Sequence, residues 1–389
     1  MRRTINLLHI VREYKFYKPV SKNYEKSSYY NNLYLFYQQK DYNKEYLKFE
    51  NVKEVTIADS SRFVLEFIDK NKVDAVFFHS VSVVDWKLIS KIPSNVVIIW
   101  WAWGYELYSK YGVLQPFINI NQYKKYTSEY LAYDNNMLKV AKECIKSIAR
   151  FTKSLYYANY KIKALKNINY IKTVTNVEFS ILHSISSLSH MRNFHGPVDL
   201  SSRINPLTIA FKKPGIILIG NSASATNNHL DIIYKINHLN ISDRKIIVPL
   251  SYGDTKYKVF LKNTIRNNPE ISLNIEYLES FLDVDEYNNL FTRVSHAVFG
   301  VIRQQAMGNI RLCLLNGVKI FLFRESIAYK ELKNKGYVVF SIEEDLNMAE
   351  LSQPLSKEEA IYNCNLKYDN LREENNLSIE TAKEILNTL

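Results

Sequence analysis

At 389 residues the chain is too long for one ordinary hydrophobic core and the right size for two domains. Hydrophobic residues make up 47%, which excludes global disorder, and the longest apolar run, Val96 to Trp103, falls far short of the roughly 20 residues a transmembrane helix needs. A net charge of +12 points to an anionic partner, whether nucleic acid, phospholipid or a phosphorylated substrate, and it has a location: eleven Lys or Arg stand against three Asp or Glu between Lys110 and Lys166.

Met1-Arg2-Arg3 ahead of residues 4–11 has the outline of a signal peptide. Arg12-Glu13 cuts the apolar stretch short and no small-residue cleavage site follows, so residues 5–11 read as the first strand of a sheet. Further strands are predicted at 33–37, 55–58, 75–79, 96–101 and 171–175, several of them β-branched or aromatic runs without alternation, as in strands buried on both faces. Helical patterns such as 62–70 lie between them. The rhythm repeats at 216–219, 245–248, 274–277, 297–302, 319–323 and 338–342, with helices beginning near Asn228, Lys256, Val284, Gln305 and Ala328. Two such βα series predict an α/β chain of two Rossmann-like domains enclosing a cleft, residues 1–205 and 206–389. The join falls where His195-Gly196-Pro197, Asn205-Pro206 and Lys212-Lys213-Pro214-Gly215 cluster. A last helix is expected at 378–389, with Ser378 as N-cap, packing back on the first domain. Cys144, Cys313 and Cys364 show no pairing or zinc spacing, as in a reducing cytoplasm.

Strand tips in open α/β sheets converge on one crevice, and that is where the chemistry-bearing residues fall. The strand 216–219 ends in Gly220-Asn221-Ser222 and leads through Asn227 to a helix starting near His229, whose backbone N–H groups and positive dipole end suit a diphosphate. This is neither G-x-G-x-x-G nor a Walker loop, which counts against NAD and against phosphoryl transfer. His229 is placed to donate to a phosphate or a leaving group, or else packs against the turn. Tyr252 follows the next strand, placed to stack on a nucleobase or to cover the core. Arg303, Gln304 and Gln305 leave one strand; Arg324 and Glu325 leave another. A guanidinium fits a diphosphate, amides read sugar hydroxyls, and Glu325 can accept both hydroxyls of a ribose. Asp283-Val284-Asp285 looks like the metal-binding D-x-D of another transferase class, but it opens a helix, where Asp is a cap, so no metal is expected. In the first half His79 and Glu106 leave strands toward the cleft as candidate bases for an acceptor hydroxyl; the alternatives are an interior histidine and a helix-start carboxylate.

Within the basic region Leu138, Ala141, Ile145, Ile148 and Leu155 keep a helical spacing, with Lys139, Lys142, Lys146, Arg150 and Lys153 along the adjacent stripe and Tyr156, Tyr157 and Tyr160 beside it. That pattern fits an anionic membrane surface and equally an ordinary solvated helix face.

Together these residues resemble glycosyltransferase family 56, the TDP-N-acetylfucosamine:lipid II N-acetylfucosaminyltransferases, also called 4-alpha-L-fucosyltransferases. The likeness rests on Phe77-Phe78-His79, Trp103-Gly104-x-Glu106-Leu107-Tyr108, Gly220-Asn221-Ser222 with Asn227 and His229, Val248-Pro249-x-x-Tyr252, Arg303-Gln304-Gln305-x-x-Gly308, Leu312 to Leu315, Gly317 and Arg324-Glu325. Ala306 stands where the family pattern has Gly, Ala225 where it has Arg, and Glu106 where it has Asp. The resemblance implies a GT-B architecture and a metal-independent transferase without a cofactor. It implies a TDP-sugar donor on the second domain and a polyprenyl-diphosphate-linked glycan acceptor at the cytoplasmic face of the inner membrane. Two rivals are a GT-B-fold nucleotide-sugar epimerase or hydrolase and a basic nucleic-acid-binding protein; the apolar strands and Glu325 give the latter no support, and no nucleic-acid partner is expected.

Overall fold

The computed structural model of the protein describes residues 3–12, 21–37, 51–55, 60–108, 117–133, 137–200, 214–239, 241 and 243–389. The chain divides into two compact units: Met1–Asn119 with Lys142–Ser202 and Leu371–Leu389, and Ile120–Ala141 with Arg203–Asn370.

The first unit is built on a seven-stranded parallel sheet, in the order β3-β2-β1-β4-β5-β6-β7. Its strands are β1 (Ile5–Val11), β2 (Tyr30–Tyr37), β3 (Val52–Val55), β4 (Ala75–Phe78), β5 (Val97–Trp101), β6 (Tyr170–Lys172) and β7 (Arg192–Asn193). Helices α1 (Ser60–Lys70), α2 (Asp85–Ile89) and α3 (Gly104–Tyr108) follow β3, β4 and β5. β1 lies inside the sheet between β2 and β4 and is buried almost throughout, which is why Ile5 to Val11 is apolar apart from Asn6 and His9. The third strand ends at Val55, where the expectation began; 56–58 lie outside the described residues. β7 is two residues long and left no periodic signal in the sequence.

The second unit carries a six-stranded parallel sheet, order β10-β9-β8-β11-β12-β13. It contains β8 (Ile216–Ile219), β9 (Lys245–Pro249), β10 (Asn274–Leu278), β11 (Val294–Phe299), β12 (Lys319–Leu322) and β13 (Phe340–Ser341). The connecting helices are α7 (His229–Asn237), α8 (Thr255–Arg266), α9 (Val284–Arg293), α10 (Met307–Leu315) and α11 (Ile327–Asn334). The order reverses between β8 and β11, and a crevice forms beyond the carboxyl ends of strands at such a point. β11 starts at Val294 and stops at Phe299, three residues earlier than the apolar run implies, because Gly300 to Ile302 are buried as loop rather than strand.

Two further helices, α4 (Lys125–Tyr133) and α5 (Met137–Asn167), were foreshadowed only by the basic stripe. α4 belongs with the second unit, whereas a boundary at 205 would assign it to the first. The cause is specific: Asp231 of α7 accepts from Tyr126 N (2.9 Å), Thr127 N (3.1 Å) and Thr127 Oγ1 (2.7 Å), capping α4 from a different helix. Tyr130 stacks on Phe260 at 4.0 Å. The terminal helix, α13 (Lys357–Thr388), is one 32-residue helix and does not begin at Ser378. No Gly or Pro interrupts it, Ser378 and Thr381 are buried within it, and Thr381 Oγ1 donates back to Leu377 O (2.9 Å). Its last turns, Ala382 and Ile385, join Ile5, Leu7 and Phe77 in the core of the first unit.

Candidate functional site

In the second unit the chain leaves β8 through Gly220, whose φ is +71°, and turns back on itself. Asn227, wholly buried, holds this turn from inside: its Oδ1 accepts from Asn221 N (3.1 Å) and its Nδ2 donates to Ser222 O (3.1 Å) and Ser224 O (3.3 Å). The loop after β9 is zipped on by two backbone bonds, Ala223 N to Tyr252 O and Asp254 N to Ala223 O, both 2.7 Å. Asn221 then ties three strand tips together, since its Nδ2 donates to Tyr252 Oη (2.9 Å) and its Oδ1 accepts from Gln305 Nε2 (3.1 Å), while Gln305 Oε1 accepts from Thr226 (2.7 Å). Tyr252 does not cover the core. It is 49% exposed and stacks on Phe281, itself 74% exposed, at 6.0 Å and 11°.

Asn228 enters α7 in the left-handed conformation, φ +51°, with its side chain on Gly300 O (2.6 Å). That reversal swings His229 inward, which corrects its expected role as a phosphate donor: the ring is fully buried, Nδ1 meets Tyr257 Oη at 3.1 Å, and burial pulls its pKa down to about 3. His229 Nε2 is buried without a hydrogen-bond partner beneath Gly220, where a Cβ would lie 2.5 Å from it. The histidine supports the turn as a neutral ring and does not line its surface.

The loops after β11 and β12 meet through one backbone bond, Ile327 N to Ile302 O at 2.9 Å. Arg303 and Glu325 therefore lie within two residues of a shared backbone hydrogen bond. Arg303, Gln304 and Gln305 are half-buried and Glu325 is exposed. Ser326 caps α11 through Tyr329 N. Arg324 departs from expectation: its backbone N–H and guanidinium are engaged by Glu343 and Glu344, outside the Asn221 network. Ala306 has φ +62°, the left-handed region that glycine occupies at no cost. A glycine in the family pattern there follows from that backbone, and Ala306 accepts a strain of about 1 kcal/mol. Asp283 caps α9 in a reciprocal capping box with Glu286, as expected of a helix start. Among the described residues no three His, Cys, Asp or Glu converge where they could hold a metal ion.

Asn228 was read from the sequence as a helix start; Lys124 and Gly300 were not singled out. The last was legible as a lone glycine in an apolar strand run, a mark of close backbone approach.

In the first unit the switch point lies between β1 and β4. His9 Nε2 contacts Asn32 Oδ1 at 3.1 Å, so Nε2 carries the proton and Nδ1 accepts from His79 Nε2 at 2.9 Å. His79 Nδ1 is then a lone pair, and it is buried without a partner. Burial lowers the pKa of both rings, that of His9 to about 3. Glu106 is buried too, accepting from Val81 N (2.6 Å), Trp100 Nε1 (2.8 Å) and Trp103 N (2.8 Å). Burial raises its pKa to about 8 against the pull of those donors. Trp103 Nε1 in turn donates to His79 O (2.6 Å). Asp85 binds Arg12, Tyr37 Oη and Ser82 N.

On α5 the side chains of Lys139, Lys142, Lys146 and Arg150 lie outside the described residues, as does that of Cys144; Cys313 and Cys364 are buried thiols. Lys153 is exposed. So are Ile148 (64%), Phe151, Leu155, Tyr156 and Ile162, so the apolar stripe is not covered at Ile148 and Leu155. Among the described residues no helix is long and apolar enough to cross a membrane.

Two parallel sheets wound in this order, with polar strand tips gathered at each switch point, define a GT-B-type fold of two Rossmann-like domains. The fold is similar to a glycosyltransferase from Rickettsia africae ESF-5 (TM-score 0.59, 15% identity, 99% of each chain covered). It is also similar to the trehalose-6-phosphate protein from E. coli bound with UDP-2-fluoro glucose (TM-score 0.58, 10% identity, 98% of each chain). A third likeness is to the Candida albicans trehalose-6-phosphate phosphatase N-terminal domain (TM-score 0.56, 10% identity, 100% of this chain and 98% of that one). The family model of the 4-alpha-L-fucosyltransferases, glycosyl transferase group 56, matches residues 150–364, more than half of the chain, and the chain belongs to that family. It is a glycosyltransferase.

Proposed function

We propose that the protein moves a 6-deoxyhexosamine-type sugar, N-acetylfucosamine-like, from a TDP-sugar to a polyprenyl-diphosphate-linked saccharide of a bacterial surface polysaccharide. It does so without a metal or a cofactor, as a peripheral protein on the cytoplasmic face of the inner membrane. The observation that supports the donor assignment is the backbone bond from Ile327 N to Ile302 O, which joins the loops that carry Arg303 and Glu325. In this reading Arg303 neutralises the diphosphate, Gln304 and Gln305 read hydroxyls, and Tyr252 stacks on a ring. A thymidine nucleotide has no 2′-hydroxyl, so Glu325 accepts one hydroxyl there, not two. Relatives support a nucleotide-sugar donor: the E. coli neighbour is bound with UDP-2-fluoro glucose. The exposed Ile148, Phe151 and Leu155 beside Lys153 support membrane docking, apolar side chains entering the interface and cations meeting anionic headgroups.

Calorimetry of TDP tests the donor site. Arg303→Ala and Glu325→Ala are each expected to weaken binding at least about tenfold, the size of one lost charge-assisted hydrogen bond. Affinity unchanged in both variants removes the site.

An inverting transfer needs a base for the acceptor hydroxyl, and of the two candidates His79 has the unpartnered acceptor atom, although burial weakens it as a base. Its Nδ1 is a lone pair without a donor, whereas Glu106 is spent on three donors and, through Trp103, positions His79. His79→Gln is expected to cut kcat by about a hundredfold or more with donor affinity kept. Glu106→Gln, folded, should keep most of its turnover; the opposite ranking makes Glu106 the base.

A further inference from the structure

We propose that Lys124 is a donor-binding residue whose ammonium exchanges Glu325 for the diphosphate of the nucleotide sugar; this rests on the donor reading above. Lys124 Nζ is paired with Glu325 and lies 4.4 Å from the centre of the Phe323 ring, so it sits at the tip of β12. At its other end the residue is fixed to α7. Lys124 N donates to Asn228 Oδ1 (2.8 Å), and Asn228 Nδ2 donates to Gln122 O (3.1 Å). Asn228 immediately precedes α7, so the lysine stem is rooted beside the first N–H groups of that helix and reaches across to Glu325.

Four further hydrogen bonds keep the root in place. Asp231, in the first turn of α7, caps α4 through Tyr126 and Thr127, and Ser128 N closes on Lys124 O at 2.8 Å. A flexible four-carbon stem on a rigid base swings its charge over a few ångström without moving the backbone. The Lys124–Glu325 pair is half-exposed, and ion pairs of that kind hold weakly. A diphosphate offers more negative charge and stronger, charge-assisted acceptors. The exchange does two things. It adds a cation to Arg303 at the phosphates, and it releases the Glu325 carboxylate to accept a hydroxyl of the ligand, which it cannot do freely while paired with an ammonium.

The test uses the full chain and two probes, TDP by calorimetry and thymidine by ligand-observed NMR. Lys124→Ala is expected to weaken TDP at least tenfold, to leave thymidine unchanged and to flatten the salt dependence of TDP binding; Lys124→Arg should stay within threefold of wild type. Lys124→Gln keeps the stem and the backbone bond to Asn228 and is read in the same way where the alanine variant does not fold. TDP affinity within twofold of wild type in a folded Lys124→Ala, or equal losses for TDP and thymidine, overturns the proposal. Loss of TDP in Arg303→Ala with retention in Lys124→Ala overturns it alone and leaves the donor site standing. A folded wild type that binds no TDP overturns both.

Discussion

Gly300→Ala is expected to cost the second unit about 3 kcal/mol or more and to abolish donor binding. A Cβ at this position would lie 2.2 Å from Asn227 O and 3.1 Å from Ile232 Cγ1. The first neighbour is backbone, so no rotamer relieves the clash, and overpacking of this kind exceeds the cost of a misplaced methylene against a mobile side chain. The loops after β8 and β11 cross here, and Gly300 O is the acceptor that holds Asn228 at the head of α7. Pushing the two chains apart therefore damages the Asn227 turn and the helix start together. Gly308→Ala is the control: nothing lies within 4 Å of its Cβ, and in α10 alanine is favoured over glycine by up to about 1 kcal/mol. Urea midpoints of the two variants should separate widely; equal midpoints would mean that the loops yield without cost.

The second large effect is acid sensitivity. His9 in the first unit, and His229 and His296 in the second, have pKa values lowered to about 3, and that of His79 is also well below the usual value. Burial is the leading cause in all four; Arg244 adds to it at His296. Each ring folds neutral, so the unfolded chain binds the proton first. The stability each contributes is whole above pH 6.5 and is lost as the pH falls, toward about 3 for His9, His229 and His296, at roughly 1.4 kcal/mol per pH unit for each of these. By pH 4.5 His9, His229 and His296 have each removed on the order of 2–3 kcal/mol, with His79 acting in the same direction, which consumes much of the stability an ordinary domain has. Glu106 acts in the opposite sense. Its pKa, raised to about 8, gives the first unit stability that is whole below pH 4.5 and lost as the pH rises through 8. Stability should peak near pH 6.5 and fall steeply below 5. In Glu106→Gln the alkaline decline of the first unit should flatten while the acid limb stays. A wild-type urea midpoint that is level from pH 7 to 4.5 would show that the rings protonate in the fold.

Much of the architecture was legible before any coordinate. β1 and β8 fall on the apolar runs from Ile5 and Ile216, because a parallel strand buried on both faces must be apolar at nearly every position. That the loops carrying Arg303 and Glu325 leave neighbouring strands followed from strand order alone. Asp283 was recognisable as a cap from its neighbour Glu286. The misreadings share a cause. Ser378 looked like a helix start because local capping chemistry is read without knowing that the helix is already under way. His229 stayed open between a phosphate donor and a ring packed against the turn because helix position was readable, but the left-handed Asn228 ahead of it was not.

Local composition and period thus determined the two Rossmann-like sheets, the switch-point loops and the residue types at the strand tips, since each depends on neighbours within about one βα repeat. Tertiary structure alone decided which side chains reach the surface of the turn and which support it. It also drew Lys124 and α4 into the second unit, because Asp231 and Asn228 capture that segment from about a hundred residues away. Hydrogen bonds of that sequence separation leave no periodic trace: either partner, read on its own, is an ordinary polar residue in a loop or a first helical turn.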